Sequence, residues 1–310
     1  MLTLRYVAAS LCLGWIATYA SENLFWIVPP PDLTLTIFVV TWLFYSAVSA
    51  AALSAVLMSG VSGLWAAFLG GAILGFGVEG AVVGTMFDAF PFQLVWTPLA
   101  WHALITGGIF VGLARTPMRP GSAVAVWGAV ALAAVAWALY WPSERDILPG
   151  AGALGVYLVL PACLSIPAMR VLDRLLPLAP PPRAVLLVAP VLLVLAWVVG
   201  TVMAPSPVRI ALWPCVALVL WAMRRRADQG GQGVWGRPMP GWQHTLPLLP
   251  PLAVTVAAPP LWATHGAVAT NVPFALITGL VSLILLVVAL AARPRRITAA
   301  APRPSPPAAR

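Results

Sequence analysis

Phe68-Leu-Gly-Gly-Ala-Ile-Leu-Gly-Phe-Gly-Val-Glu79-Gly80-Ala-Val-Val-Gly84 is the stretch on which the fold of this chain turns. It carries one ionisable side chain inside a long apolar run. Glycines at four-residue spacing, Gly71 with Gly75 and Gly80 with Gly84, are at home where helices meet inside a bilayer. The next run, Val95-Trp-Thr-Pro-Leu-Ala-Trp-His102-Ala-Leu-Ile-Thr-Gly-Gly-Ile-Phe110, has the same character and is interrupted by His102. An ionisable group at membrane depth is costly, so Glu79 and His102 are the first candidates for function.

The rest of the chain fits this reading. Of 310 residues, 61% are hydrophobic and 8% charged. A soluble globule of that composition would lack the polar groups to cover its surface. Lipid removes the difficulty, provided every backbone polar group is satisfied internally. The expected fold class is therefore all-α, a polytopic transmembrane helical bundle. The net charge of +9 comes entirely from arginine. These arginines lie in short segments between apolar runs and at the C-terminus, not on one folded face, which excludes nucleic acid as a partner. Cys12, Cys163 and Cys215 have no metal-ligand spacing and read as small buried hydrophobes. Arg5 and the apolar stretch to Ala20-Ser21 resemble a signal peptide. However, Glu22-Asn23-Leu24 follows instead of a small-residue cleavage site, so the stretch reads as a retained first helix.

Runs of about 20 apolar residues span the hydrocarbon core. Ten are expected, at 3–20, 33–58, 62–87, 92–114, 121–141, 147–169, 184–204, 207–223, 244–264 and 271–292. The ninth, with Pro247, Pro250, Pro251, Pro259 and Pro260, is expected to be kinked or broken. With the N-terminus in the cytoplasm, all arginines but Arg145 and Arg209 fall on the cytoplasmic side, as the positive-inside rule requires. Both termini are then cytoplasmic, and a prokaryotic inner or plasma membrane is the expected location. The chain divides into a half with the polar cluster (1–142), a more apolar half (143–296) and a disordered tail (297–310). The Gly-rich, basic segment 224–243 reads as a flexible cytoplasmic linker.

Polar residues gather near the outer ends of the first four spans. Glu79 should lie about 12 Å deep and His102 about 15 Å deep on neighbouring antiparallel helices, so a Glu–His pair is expected. Such a pair can share a proton and switch its charge state. Glu22, Asn23, Asp88, Trp96 and Trp101 complete the candidate site for ligand binding or proton coupling. A straight first span would hold Glu22 about 10 Å above Glu79, so contact requires a distortion of that helix. No His-x-x-x-His or Glu-x-x-His spacing exists, so no metal site is expected, and no cofactor is assigned.

Ten spans with both termini inside resemble the five-plus-five plan of the drug/metabolite transporter superfamily, in which the two halves are inverted. Thr97-Pro-Leu-Ala-Trp101-His102 in span 4 has a faint echo in Pro260-Leu-Trp262-Ala-Thr-His265 at the end of span 9. No motif of that superfamily is matched residue by residue. The paired glutamates followed by arginine of prenyl-protein (CAAX) proteases are absent. Three functions are consistent with the sequence: a small transporter or ligand-binding membrane protein with an outward-facing Glu/His site, a membrane enzyme acting on a lipid or isoprenoid, and a structural or assembly subunit. The bilayer is the expected partner, with a small-molecule or lipid substrate in the first two cases.

Overall fold

The computed structural model describes residues 1–227 and 238–292. The expected tail 297–310 and the middle of the basic linker lie outside the described residues. Among the described residues the only strand-like pairing is an isolated bridge between Val61 and Ala227. Among the described residues the architecture is ten helical segments. Helix α1 is Leu2–Thr18, continued by a π-helical Tyr19–Asn23. The others are α2 (Leu35–Ser59), α3 (Gly63–Val82), α4 (Phe92–Arg115), α5 (Pro120–Ser143), α6 (Ala151–Arg174), α7 (Arg183–Met203), α8 (Pro207–Arg225), α9 (Gln243–His265) and α10 (Asn271–Leu290). Nine of them, α2 to α10, are long and apolar enough to cross a membrane. Segment α1 is not among the nine, because Arg5, Tyr6, Ser10, Thr18 and Tyr19 dilute its apolar run.

Local sequence explains most boundaries. The Thr34 hydroxyl accepts from Ile37 N at 3.2 Å and caps α2. Gly60, at φ 75°, ends it in the left-handed conformation that lacks a Cβ penalty. Helix α3 ends at Val82, five residues before the expected end, because Gly84 at φ 91° turns the chain into a short 3₁₀ segment, Thr85–Phe87. Helix α6 starts after Pro149-Gly150 and runs on through Pro167 to Arg174, later at both ends than expected. Helix α9, expected to be kinked or broken, is continuous and runs through Pro259 and Pro260. Its first turns, Gln243–Leu248, are 3₁₀, and Pro250 and Pro251 fall at the first positions of the α-helical part, where no N–H is needed.

Helices α3 and α4 form the centre, with 83% and 72% of their apolar stretches buried, against 11% for α7 and 22% for α10. Lipid is as apolar as leucine, so burying large aliphatics adds little to helix association, whereas small residues let the backbones approach. A Cβ on Gly75 would lie 2.4 Å from the Pro98 carbonyl oxygen, and one on Gly107 would lie 2.4 Å from that of Ala67. The two backbones touch through their glycines. Among the described residues the second half shows no comparable pairing: α8 packs on α3 and α10, while α9 packs on α5 and α6. His265, the echo of His102, is exposed at the end of α9.

Candidate functional site

Four segments of the described chain have π-helical hydrogen bonding: Tyr19–Asn23 in α1, Gly77–Val82 in α3, Trp96–Gly112 in α4 and Gly155–Val159 in α6. A π-turn widens the helix and re-aims its side chains, and such turns concentrate at functional sites. Here each carries part of one polar cluster. The first presents Ser21, Glu22 and Asn23. The second presents Glu79, the third His102 and Thr106, and the fourth Tyr157.

Glu79 and His102 face each other, with Oε1 of the carboxylate 2.9 Å from Nε2 of the ring. The other carboxylate oxygen of Glu79 accepts from the Thr85 hydroxyl, supplied by the turn that ends α3 early. The second ring nitrogen of His102, Nδ1, lies 2.9 Å from Ser21 Oγ, and that hydroxyl lies 2.8 Å from Thr106 Oγ1. A chain of hydrogen bonds thus runs Thr85–Glu79–His102–Ser21–Thr106 across α1, α3 and α4. His102 is 2% exposed and Ser21 4%, whereas Glu79 and Thr85 at the other end of the chain are partly exposed. Directly below it a void of about 50 Å³, lined by Ala17, Ser49, Gly71, Thr106 and Gly107, separates α1–α4.

Glu22 does not touch Glu79 directly. The π-turn carries it toward α2, where the Tyr45 hydroxyl donates to it at 2.7 Å, and Tyr45 stacks obliquely near His102 with ring centroids 6.1 Å apart. Asn23 is 1% exposed and donates to the Tyr157 carbonyl at 3.0 Å, while its Oδ1 has no partner. Glu22, Asn23, Asp32 and Tyr157 line a cavity of about 160 Å³ beside the cluster. Trp101 donates its indole N–H to the Ala20 carbonyl at 3.2 Å and so braces the π-turn of α1. Trp96 is buried among Phe25, Trp101 and Trp137 and lies in an aromatic wall, not in the hydrogen-bonded chain. Asp88 is exposed in the α3–α4 turn and makes none of these contacts.

Among the described residues no three His, Cys, Asp or Glu side chains are grouped to hold a metal ion. Ser21, Tyr45, Thr85 and Thr106 escape a reading of the sequence, since a hydroxyl in an apolar helix carries no mark of its partner. The one available signal is spacing, because Thr106 lies four residues after His102.

A second polar cluster escapes it altogether. Arg115 at the end of α4 pairs with Asp173 at the end of α6, and His244 Nε2 lies 2.9 Å from Asp173 Oδ2. The Met239 amide donates to the same oxygen at 3.0 Å. Arg115 is 5% exposed, Asp173 9% and His244 3%. The sequence reads Arg115 only as an orientation signal; the fold buries it with Asp173 and His244 in an ionic joint between α4, α6 and α9. Comparison of the chain with protein-family models, with curated proteins and with solved structures finds no match.

Proposed function

We propose that this multi-pass membrane protein is a membrane-embedded enzyme, in which Ser21, His102 and Glu79 perform acid–base chemistry on a lipid-phase substrate such as a lipid or isoprenoid. The observation that carries the reading is the hydroxyl–imidazole–carboxylate chain itself. A neutral imidazole has one donor nitrogen and one acceptor. With Nε2–H directed at the Glu79 carboxylate, Nδ1 is left to accept from Ser21, and the carboxylate stabilises the imidazolium that forms when the hydroxyl gives up its proton. This is the division of roles in hydroxyl–imidazole–carboxylate triads, which are recognised by geometry and not by position in sequence. The arrangement is proposed within ten crossings with both termini cytoplasmic, α1 included.

A second reading, a ligand-binding or proton-coupled transporter, draws on the polar cavity beside Glu22 and on the two carboxylates near His102. The missing α8–α9 counterpart of the α3–α4 pairing weighs against it, because an inverted-repeat transporter is expected to pair both. Lipid profiling separates the two. Membranes of a strain producing the protein are compared with those of strains producing Ser21→Ala or Glu79→Gln. An enzyme leaves a lipid species chemically altered in the first and not in the others. Unaltered lipid chemistry in all three, with a solute gradient that depends on Glu79, would assign transport instead.

A further inference from the structure

Helices α7 and α8 are joined by a short turn, and helices so joined ordinarily pack as antiparallel neighbours. Here they meet near that turn. Trp197 of α7 donates its indole N–H to the Arg209 carbonyl at 3.2 Å, and its ring meets that of Trp213 edge-on with centroids 5.0 Å apart. Taken as a whole, each helix packs on α2 and α3 more than on the other. A groove of about 400 Å³ lies between them, in the range typical of ligand pockets, with α2 and α3 as its floor. Leu212 and Trp213 line it near the turn, and Arg224 lines it at the far end of α8.

The body of the groove suits an apolar occupant. Its floor includes Ile73 and Phe76 of α3. The two serine hydroxyls on its wall are already in use: Ser54 shares a hydrogen bond of 2.8 Å with the Tyr6 hydroxyl, and Ser59 donates to the Val56 carbonyl at 3.1 Å. From Leu212 to Arg224 a helix rises about 18 Å. One leaflet contributes about half of a hydrocarbon core of about 30 Å, so the groove is as long as one leaflet is deep. The far end differs in chemistry. Arg225 and Arg226 are engaged, with the Ala292 and Val288 carbonyls and over the rings of Trp221 and Trp65. Arg224 is exposed and makes no hydrogen bond, ion pair or ring contact among the described residues. Its guanidinium is free to donate to a phosphate, with two further positive charges beside it.

We propose that this groove holds one acyl chain of an anionic phospholipid, with the lipid phosphate on Arg224. The chain lies against α2 and α3 and fills the space that α7 and α8 leave between them. The headgroup selects for net negative charge, because a zwitterionic lipid places an ammonium beside the same three arginines. In the orientation that the arginine distribution favours, Arg224 faces the cytoplasmic leaflet, whose surface potential is negative. The inference does not depend on the chemistry proposed at Ser21, His102 and Glu79.

Native mass spectrometry of the full-length protein, delipidated in detergent, tests it by titration with phosphatidylglycerol and phosphatidylcholine of identical chains. One saturable phosphatidylglycerol is expected, bound about tenfold more tightly than phosphatidylcholine. Arg224→Gln should weaken phosphatidylglycerol about tenfold, the size of one lost charge-assisted contact, and bring the two lipids to similar affinity. Arg224 is exposed, so this variant folds. Arg119→Gln removes an exposed arginine that does not line the groove and should change neither affinity. Val216→Trp or, from α2, Ala55→Phe fills the groove and should weaken both lipids, with the melting temperature of the lipid-free variant as the check on folding. Equal affinity for the two lipids would overturn the proposal. So would phosphatidylglycerol binding that survives Arg224→Gln or falls equally with Arg119→Gln, folded groove-filling variants that bind like the wild type, or a second copy of the chain bound in place of lipid.

Discussion

His102 can sit inside a bundle of this apolarity because both of its ring nitrogens are occupied, one by a carboxylate and one by a hydroxyl. Replacing Glu79 by Gln keeps the shape and a hydrogen bond but removes the charge that supports an imidazolium. The expected outcome for Glu79→Gln is loss of at least 90% of the lipid conversion, about the effect of 1.4 kcal/mol on a barrier. The melting temperature in detergent should stay close to that of the wild type, since interhelical hydrogen bonds in membranes average about 0.6 kcal/mol. Retained conversion with an unchanged melt would reduce the pair to interhelical glue. The joint at the opposite ends of α4 and α6 behaves differently. Removing one partner of a buried ion pair strands the other, at a cost of about 3–5 kcal/mol. Asp173→Ala should therefore lower the melting temperature strongly, whereas Arg115→Met combined with Asp173→Leu should recover much of it. A double variant as unstable as the single one would mean that the joint contributes more than charge compensation.

Helix α4 places its functional side chains by being wide where it is π-helical and thin where it is glycine. The glycine contacts with α3 leave no space for a methyl group, and the atoms in the way are backbone carbonyls that cannot swing aside. Gly107→Ala should force the helices apart and destabilise the fold by about 1–3 kcal/mol, the usual cost of overpacking. It should also lengthen the Glu79–His102 contact. The control is Gly128→Ala on α5, where an added Cβ meets nothing within 4 Å. Chemical unfolding of both variants in mixed micelles provides the measurement, and equal stability of the two would remove the close-packing argument.

For the whole molecule, the proposed orientation puts the arginine-bearing helix ends in the cytoplasm. Arg5 reaches the Leu175 carbonyl just past α6, and Arg225 and Arg226 reach carbonyls at the end of α10. Arg145 and Arg209 belong to the opposite helix ends. With Cys12, Cys163 and Cys215 replaced by alanine, a cysteine at position 230 should react with a membrane-impermeant maleimide only after the cells are opened. One at position 146 should react in intact cells. The reverse pattern would invert the topology and place the cavity beside Glu22 on the cytoplasmic face.

The sequence by itself determined the class of fold and most helix positions, because a bilayer reads apolar length and arginine asymmetry residue by residue, with little regard to partners. It also determined that Glu79 and His102 fall at matching depth, since depth along a helix is a matter of counting. Azimuth is not. Whether two side chains face each other depends on how helices rotate to bury their small residues, and that is settled only when all of them pack. For this reason the tertiary structure alone brought Ser21, Thr106 and Tyr45 to the pair and left Asp88 outside it. The π-turn of α1, which no residue pattern announces, carried Glu22 to Tyr45. The burial of Arg115 with Asp173 and His244 likewise joins three residues distant in sequence, each of which read singly is an ordinary helix-end polar group.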